Sequence, residues 1–198
     1  KLPQVLEFEC QSLKVWEDSS GARCFAAQTY LGTRLNFELL GGHIEVGSLG
    51  FLDSLLVAAG GVQVRYGSDR LSADSATFHP FADSLELSGN ARASFHRDAG
   101  DFDLDARALA CKLKGQDLLG FTIRGDARPA QLRSTRGLNG QRRAVWGDRM
   151  VGHKADSLDS WTLRASRGMH RPGVLNGALS LEADELFLSE LLGQVEVQ

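Results

Sequence analysis

Apolar side chains fall on alternate positions between Gly60 and Phe95: Val62, Val64 and Tyr66, then Leu71 and Ala73, then Leu85 and Leu87, then Ala91, Ala93 and Phe95. Gln63, Arg65, Ser72, Asp74, Glu86, Ser88 and Arg92 fill the places between them. Successive side chains of a strand point to opposite faces, so this spacing predicts short strands, each with one dry face and one wet face. Turn formers separate the runs: Gly67-Ser68-Asp69, His79-Pro80, Ala82-Asp83 and Gly89-Asn90. The stretch reads as a meander.

The rest of the chain repeats the pattern imperfectly. Alternation is visible over residues 5–15 and 23–31, in Leu35–Leu39, in His43–Val46, and in Asp101–Ala106. It returns at Trp161–Ala165, Gly177–Asp184 and Gly193–Val197, while Pro129 stops the run that begins at Leu118. Two stretches are ambiguous: Phe51–Ala59 suits a short helix or a buried strand, and Ala183–Leu192 also carries helical spacing. Residues 133–149, rich in Gly and Arg without a clear period, read as a long basic loop. With 22 glycines and a turn signal every ten or so residues, the chain as a whole reads as all-β.

At 198 residues the chain is read as one domain over 1–198, large enough to bury a core without metals or many disulfides. The net charge of −3 gives no footprint for nucleic acid. It is unevenly placed, since residues 121–171 hold eleven Lys/Arg against four Asp/Glu. That basic stretch suits either a solvated surface or an anionic ligand. No apolar run approaches the ~20 residues of a membrane helix. The sequence starts at Lys1 without an initiator Met or signal peptide, which leaves open a signal or membrane anchor upstream. Cys10 and Cys24 flank the turn Glu17–Gly21, so a disulfide across a hairpin and a pair of buried thiols are both consistent with them.

Two phrases recur. One is Gly, a polar residue, then an alternating pair: Gly42-His43-Ile44-Glu45-Val46, Gly89-Asn90-Ala91-Arg92-Ala93, Gly125-Asp126-Ala127 and Gly193-Gln194-Val195-Glu196-Val197. The other is Leu-x-Ala-Asp or close to it: Leu71–Asp74, Leu104–Arg107, Leu163–Ser166 and Leu181–Asp184. In alternation they resemble the OstA-like repeat of periplasmic lipopolysaccharide-transport proteins (LptA, LptC and the amino-terminal domain of LptD). The match is best over residues 60–95, weaker over 101–128 and partial over 177–197. The resemblance implies an antiparallel β-jellyroll bent like a taco shell, with an open apolar groove that shields lipid acyl chains. It also implies bridge components joined through edge strands, including a head-to-tail homo-oligomer, and a periplasmic location. By period, the groove residues would be Val62, Val64, Tyr66, Leu71, Ala73, Phe78, Leu85, Leu87, Ala91, Ala93, Phe95, Phe102, Leu104, Leu179, Leu181, Ala183, Val195 and Val197. The same residues would also form the closed core of any β sandwich.

No nucleophile elbow, zinc-helix motif or Gly-rich phosphate loop is present, and the five histidines are scattered singly. Asp101-x-Asp103-x-Asp105 lacks the Gly and Glu that a calcium loop needs, so three aspartates on a wet face explain it better. The expectation is a protein without cofactor or catalysis that binds lipopolysaccharide or a similar lipid. Two other classes fit less of the pattern: a polymerising β-solenoid scaffold, and a carbohydrate- or protein-binding sandwich using Trp16, Trp146 and Trp161.

Overall fold

The computed structural model describes residues 7–30, 33–39, 42–52, 54–79, 82–97, 100–114, 117–134, 143–154, 161–189 and 194–197. They form 18 strands in one continuous sheet, and every pairing is antiparallel. In chain order these are β1 (Ser12–Glu17), β2 (Arg23–Gln28), β3 (Leu35–Leu39), β4 (Gly42–Val46), β5 (Ser48–Leu52), β6 (Leu55–Tyr66), β7 (Asp69–His79), β8 (Ser84–Arg97) and β9 (Gly100–Lys114). There follow β10 (Asp117–Arg124), β11 (Ala130–Ser134), β12 (Arg143–Gly147), β13 (Arg149–Lys154), β14 (Trp161–Ser166), β15 (Gly173–Asn176), β16 (Leu179–Glu182), β17 (Glu185–Ser189) and β18 (Gln194–Val197).

The four long strands β6–β9 organise the rest. Each is interrupted near its middle, where the pairing shifts register: between Ala59 and Val62, between Ser72 and Ser75, and between Ser88 and Ala91. Extra residues at such shifts bend a strand. The bends line up across β6–β9 and crease the sheet. On one side of the crease lies leaf 1, in the order β1-β2-β5-β6-β7-β8-β9-β10-β13-β14-β17-β18. On the other lies leaf 2, in the order β3-β4-β6-β7-β8-β9-β11-β12-β15-β16. Neither leaf closes on itself, so the architecture is the bent, open antiparallel jellyroll that the resemblance implies.

Backbone conformation makes the crease. Gly60, Gly61, Gly89 and Asn90 all have positive φ, which costs an ordinary L residue about 1–2 kcal/mol. A Cβ at Gly89 would also run into the carboxylate of Asp74. That carboxylate accepts a hydrogen bond from Asn90 Nδ2 at 2.9 Å, tying β7 to β8 at the bend. Comparable locks recur where the shorter strands turn from one leaf to the other. Arg107 Nε lies 3.7 Å from Asp126 Oδ2, Asp148 Oδ2 accepts the His170 backbone N–H at 2.6 Å, and Arg167 Nη1 meets Asp184 Oδ1 at 2.9 Å. The two recurrent sequence phrases therefore mark crease positions: Ala-Asp at residues 73–74 and 183–184, and Gly followed by Asn or Asp at 89–90 and 125–126.

Several sequence expectations change. Phe51–Ala59 is neither a helix nor one strand but the hairpin of β5 and β6, turned at Ser54 with φ 64°. Ala183–Leu192 holds strand β17, and residues 190–193 lie outside the described ones. The long loop expected at 133–149 narrows, because Arg143–Gly147 and Arg149–Lys154 are paired strands. Val145 and Met150 are buried there while Arg149 is exposed; Gly147 and Asp148 fall at the crease and break the period.

The pairing of β1 and β2 settles the cysteines. Cys24 stands opposite Trp16, and Ser12 opposite Gln28, which leaves Cys10 beyond the strand. All three cysteines carry thiols, so the Cys10–Cys24 disulfide is not formed: the hairpin folds about Asp18–Gly21, too close to Cys24 to bring Cys10 across.

Two predictions follow from the crease. Gly89→Ala lowers the unfolding free energy by about 1–3 kcal/mol through φ strain and the clash with Asp74, read as a lower urea midpoint with an unchanged slope. The second concerns Asp148. Its partial burial raises the carboxyl pKa, but hydrogen bonds from the His170 backbone and ring, the His170 charge and the Met169 N–H outweigh that and hold it below its ordinary 3.8. A lowered folded pKa contributes stability that is complete above 3.8 and lost as pH falls through the folded value. Asp148→Asn is therefore less stable than the parent near neutral pH, and urea midpoints of the two converge in acid.

Candidate lipid trough between the leaves

The registers arrange the inner faces into rows that run across the strands. In leaf 1, one row passes Val15, Phe25, Phe51, Leu56, Phe78, Leu85, Cys111, Phe121, Gly152, Leu163 and Leu188. A second row, nearer the crease, passes Leu13, Ala27, Leu49, Ala58, Ala76, Leu87, Leu109, Ile123, Met150, Ala165 and Leu186. In leaf 2 the corresponding row is Phe37, Ile44, Val64, Leu71, Ala93, Leu104, Leu132, Val145, Val174 and Leu181. No polar side chain interrupts any of the three rows. Residues of both leaves belong to one apolar cluster, because each leaf is the cover for the other.

Position within the V decides exposure. Of the residues named from sequence, Val62, Val64, Ala73, Phe78, Leu87, Ala91, Ala93, Leu104 and Ala183 are buried, with Leu87 and Ala91 at 0% exposure. They form the packed floor. Tyr66, Leu71, Leu85, Phe95, Phe102 and Leu181 are half-buried. Leu179, Val195 and Val197 stand in β16 and β18 at positions whose side chains lie outside the described residues.

Sequence reading missed much of leaf 1. Leu56-x-Ala58, Phe121-x-Ile123, Met150-x-Gly152 and Leu186-x-Leu188 carry the same period of two, but only two inward residues fit before each crease. It also missed an aromatic cluster at one end of the inner face. There Phe8 packs on Phe25 at 6.0 Å between ring centroids, and Phe25 stacks on Phe51 at 6.2 Å and 16°. Beyond that end β1 overhangs, with Leu13 and Val15 continuing the inner rows at 56% and 61% exposure.

The basic stretch 121–171 is not a single patch. Arg124 and Arg149 face each other on the outer face of leaf 1, Arg164 pairs with Glu185 at 2.5 Å, and Arg167 and Arg171 both hold Asp184. Asp103 and Asp105 are exposed on the outer face of β9 while Leu104 is buried between them, as alternation requires. Among the described residues no group of His, Cys, Asp and Glu is placed to hold a metal ion. Among the described residues no helix is long and apolar enough to cross a membrane.

No family model matches the chain, and no curated protein matches it. A solved structure does: the crystal structure of LptH, the LptA homologous periplasmic component of the conserved lipopolysaccharide transport device from Pseudomonas aeruginosa. The two superpose with a TM-score of 0.51 at 12% identity, over 65% of this chain and 80% of that one. At that identity the likeness is one of fold, and the fold is LptA-like.

Burial separates the thiols. Loss of solvation pushes the Cys111 thiol up to about 12, so it stays protonated and inert, and Cys24 is buried as well. Cys10 is only half-buried. With an aromatic disulfide reagent at pH 8, the native protein should titrate Cys10 first and Cys111 only on unfolding. Rapid native labelling of Cys111 would contradict the packed floor.

Proposed function

We propose that the trough between the leaves holds the acyl chains of lipopolysaccharide or a similar lipid, and that the protein acts without catalysis as a periplasmic carrier within a bridge to the outer membrane. The observation that carries this reading is the unbroken apolar ladder. It crosses leaf 1 from Val15 to Leu188 and is matched by leaf 2 from Phe37 to Leu181, in a fold shared with LptH. A long, narrow apolar surface between two open-edged leaves suits chains rather than a compact ligand. Each methylene moved from water into it contributes about 0.8 kcal/mol. Tails enter where the leaves part, past the half-buried Tyr66, Leu85, Phe95 and Phe102, and displace contacts between the leaves as they do so.

The ends suit assembly into a longer conduit. Among the described residues β1 and β18 each pair on one side only, with β2 and β17 respectively, so both ends of leaf 1 offer a strand edge to a neighbour. Joining there would extend the inner rows through the exposed Leu13 and Val15. A contact between unlike ends that does not close generates a filament, so a second copy and other bridge components are the partners this surface fits.

Phe95→Asp tests the reading. A carboxylate at the inner rim is costly to desolvate beside acyl chains. The variant should therefore bind an apolar fluorescent dye at least about tenfold more weakly, a difference worth ~1.4 kcal/mol, while its circular dichroism spectrum stays that of the parent. Unchanged dye affinity in a folded variant would remove the trough as the binding site.

A further inference from the structure

The outer face of leaf 2 carries an arrangement that the apolar trough does not use. There β6, β7 and β8 set six side chains in two cross-strand rows: Gln63–Ser72–Arg92, and next to the rim Arg65–Arg70–Ser94. These six surround a shallow hollow of about 340 Å³. A second hollow, of about 270 Å³, shares Gln63, Ser72 and Arg92 and runs on to Arg34 and the crease.

The arginines here are not paired with acids inside the hollow. Arg65 and Arg70 stand directly opposite each other, and like charges so placed on an antiparallel pair repel. Among the described residues Arg70 and Arg92 make no ion pair. Arg65 reaches only Glu45, at 3.6 Å, and Glu45 is shared with His43 at the same distance. The acids along the margin lie outside the hollow: Asp103 accepts the Ser94 hydroxyl at 2.6 Å, Asp74 accepts from Asn90 at 2.9 Å, and Asp105, in register with Arg92 on the same outer face, makes no ion pair with it. What lines the hollow is three guanidinium groups, a Ser72 hydroxyl and a Gln63 amide, with no carboxylate among them. Such a set of N–H and O–H donors matches an oxyanion with several oxygens, and the planar fork of Arg suits phosphate in particular.

We propose that this hollow binds a phosphoryl group. Its position gives the group a source. Arg65 and Arg70 are each one residue from the β6–β7 turn that forms the rim of leaf 2, and Tyr66 and Phe95 lie half-buried on the inner side of that rim. An amphiphile whose tails lie in the trough would carry its head out over this edge, and a phosphate on that head would meet Arg65, Arg70 and Arg92. This assignment of source rests on the lipid reading above; the phosphoryl site itself does not.

The test compares dihexanoyl phosphatidic acid, dihexanoyl phosphatidylcholine and inorganic pyrophosphate by titration calorimetry, on the parent and on the double variant Arg70→Gln, Arg92→Gln. Both substitutions are on an exposed face, so the fold is kept. The expected result is that the parent binds phosphatidic acid about tenfold or more tightly than phosphatidylcholine, and that the double variant loses this preference with its phosphatidylcholine affinity unchanged. If pyrophosphate binds as tightly as phosphatidic acid and is likewise lost in the variant, the site stands and takes a free phosphate instead of a headgroup. If neither lipid binds but pyrophosphate does, and the variant loses it, the site stands while the lipid reading fails. A parent with no preference for phosphate, or a variant that keeps the preference, overturns the proposal.

Discussion

The structure depends on one constraint: four neighbouring strands must all bend at the same level. A flat antiparallel sheet with an apolar face would leave that face in water. By breaking β6, β7, β8 and β9 at Gly60-Gly61, Ala73-Asp74, Gly89-Asn90 and Ala106-Arg107, the chain folds the sheet over and makes each half the cover of the other. Positive φ at the glycines and at Asn90 makes the bend, and the Asp74–Asn90 bond holds two strands to it. The close approach of Gly47 to the Gly60 backbone, where a Cβ would stand 2.9 Å from the Gly60 carbonyl oxygen, shows how little space the fold line allows.

From that constraint the remaining features follow. Small side chains gather near the fold line, with Ala58, Ala76, Ala73, Ala91, Ala106 and Ala130 all buried there, and Leu49, Leu87, Leu109, Ile123 and Met150 fill the rest of the crease-side row. Farther from the fold line stand Phe51, Phe95, Phe102 and Tyr66, all half-buried. The V is thus tight and fixed at its base and bounded by half-buried aromatic and aliphatic groups toward its opening. Because bending does not close the sheet, strand edges survive at both ends of both leaves among the described residues.

Much of this was legible in the sequence, for a definite reason. A period of two survives wherever a strand is long enough to show it, so the inner faces of β6–β9 could be read directly as Val62-x-Val64, Leu85-x-Leu87 and Ala91-x-Ala93. The crease was visible as recurring phrases, but its meaning was not, because Ala-Asp on one strand and Gly-Asn on the next act only through register. The short strands beyond β9 were harder. They show two inward residues each before a turn, too few to separate Arg143–Gly147 in leaf 2 from a basic loop or Glu185–Ser189 in leaf 1 from a helix. The arginines around Ser72 were invisible as a group, since Arg65, Arg70 and Arg92 are brought together only by pairing.

The central claim is that the inner face of leaf 1 meets lipid and its outer face does not. It is tested most directly by placing a photo-crosslinking amino acid at Leu85 and, in a separate protein, at its neighbour Glu86, then irradiating each in the presence of lipopolysaccharide. These positions are adjacent in β8 and on opposite faces of leaf 1, with Leu85 half-buried and Glu86 exposed. The account predicts a lipopolysaccharide adduct from position 85 and none from position 86. Equal adducts from both, or an adduct from position 86 alone, would contradict it.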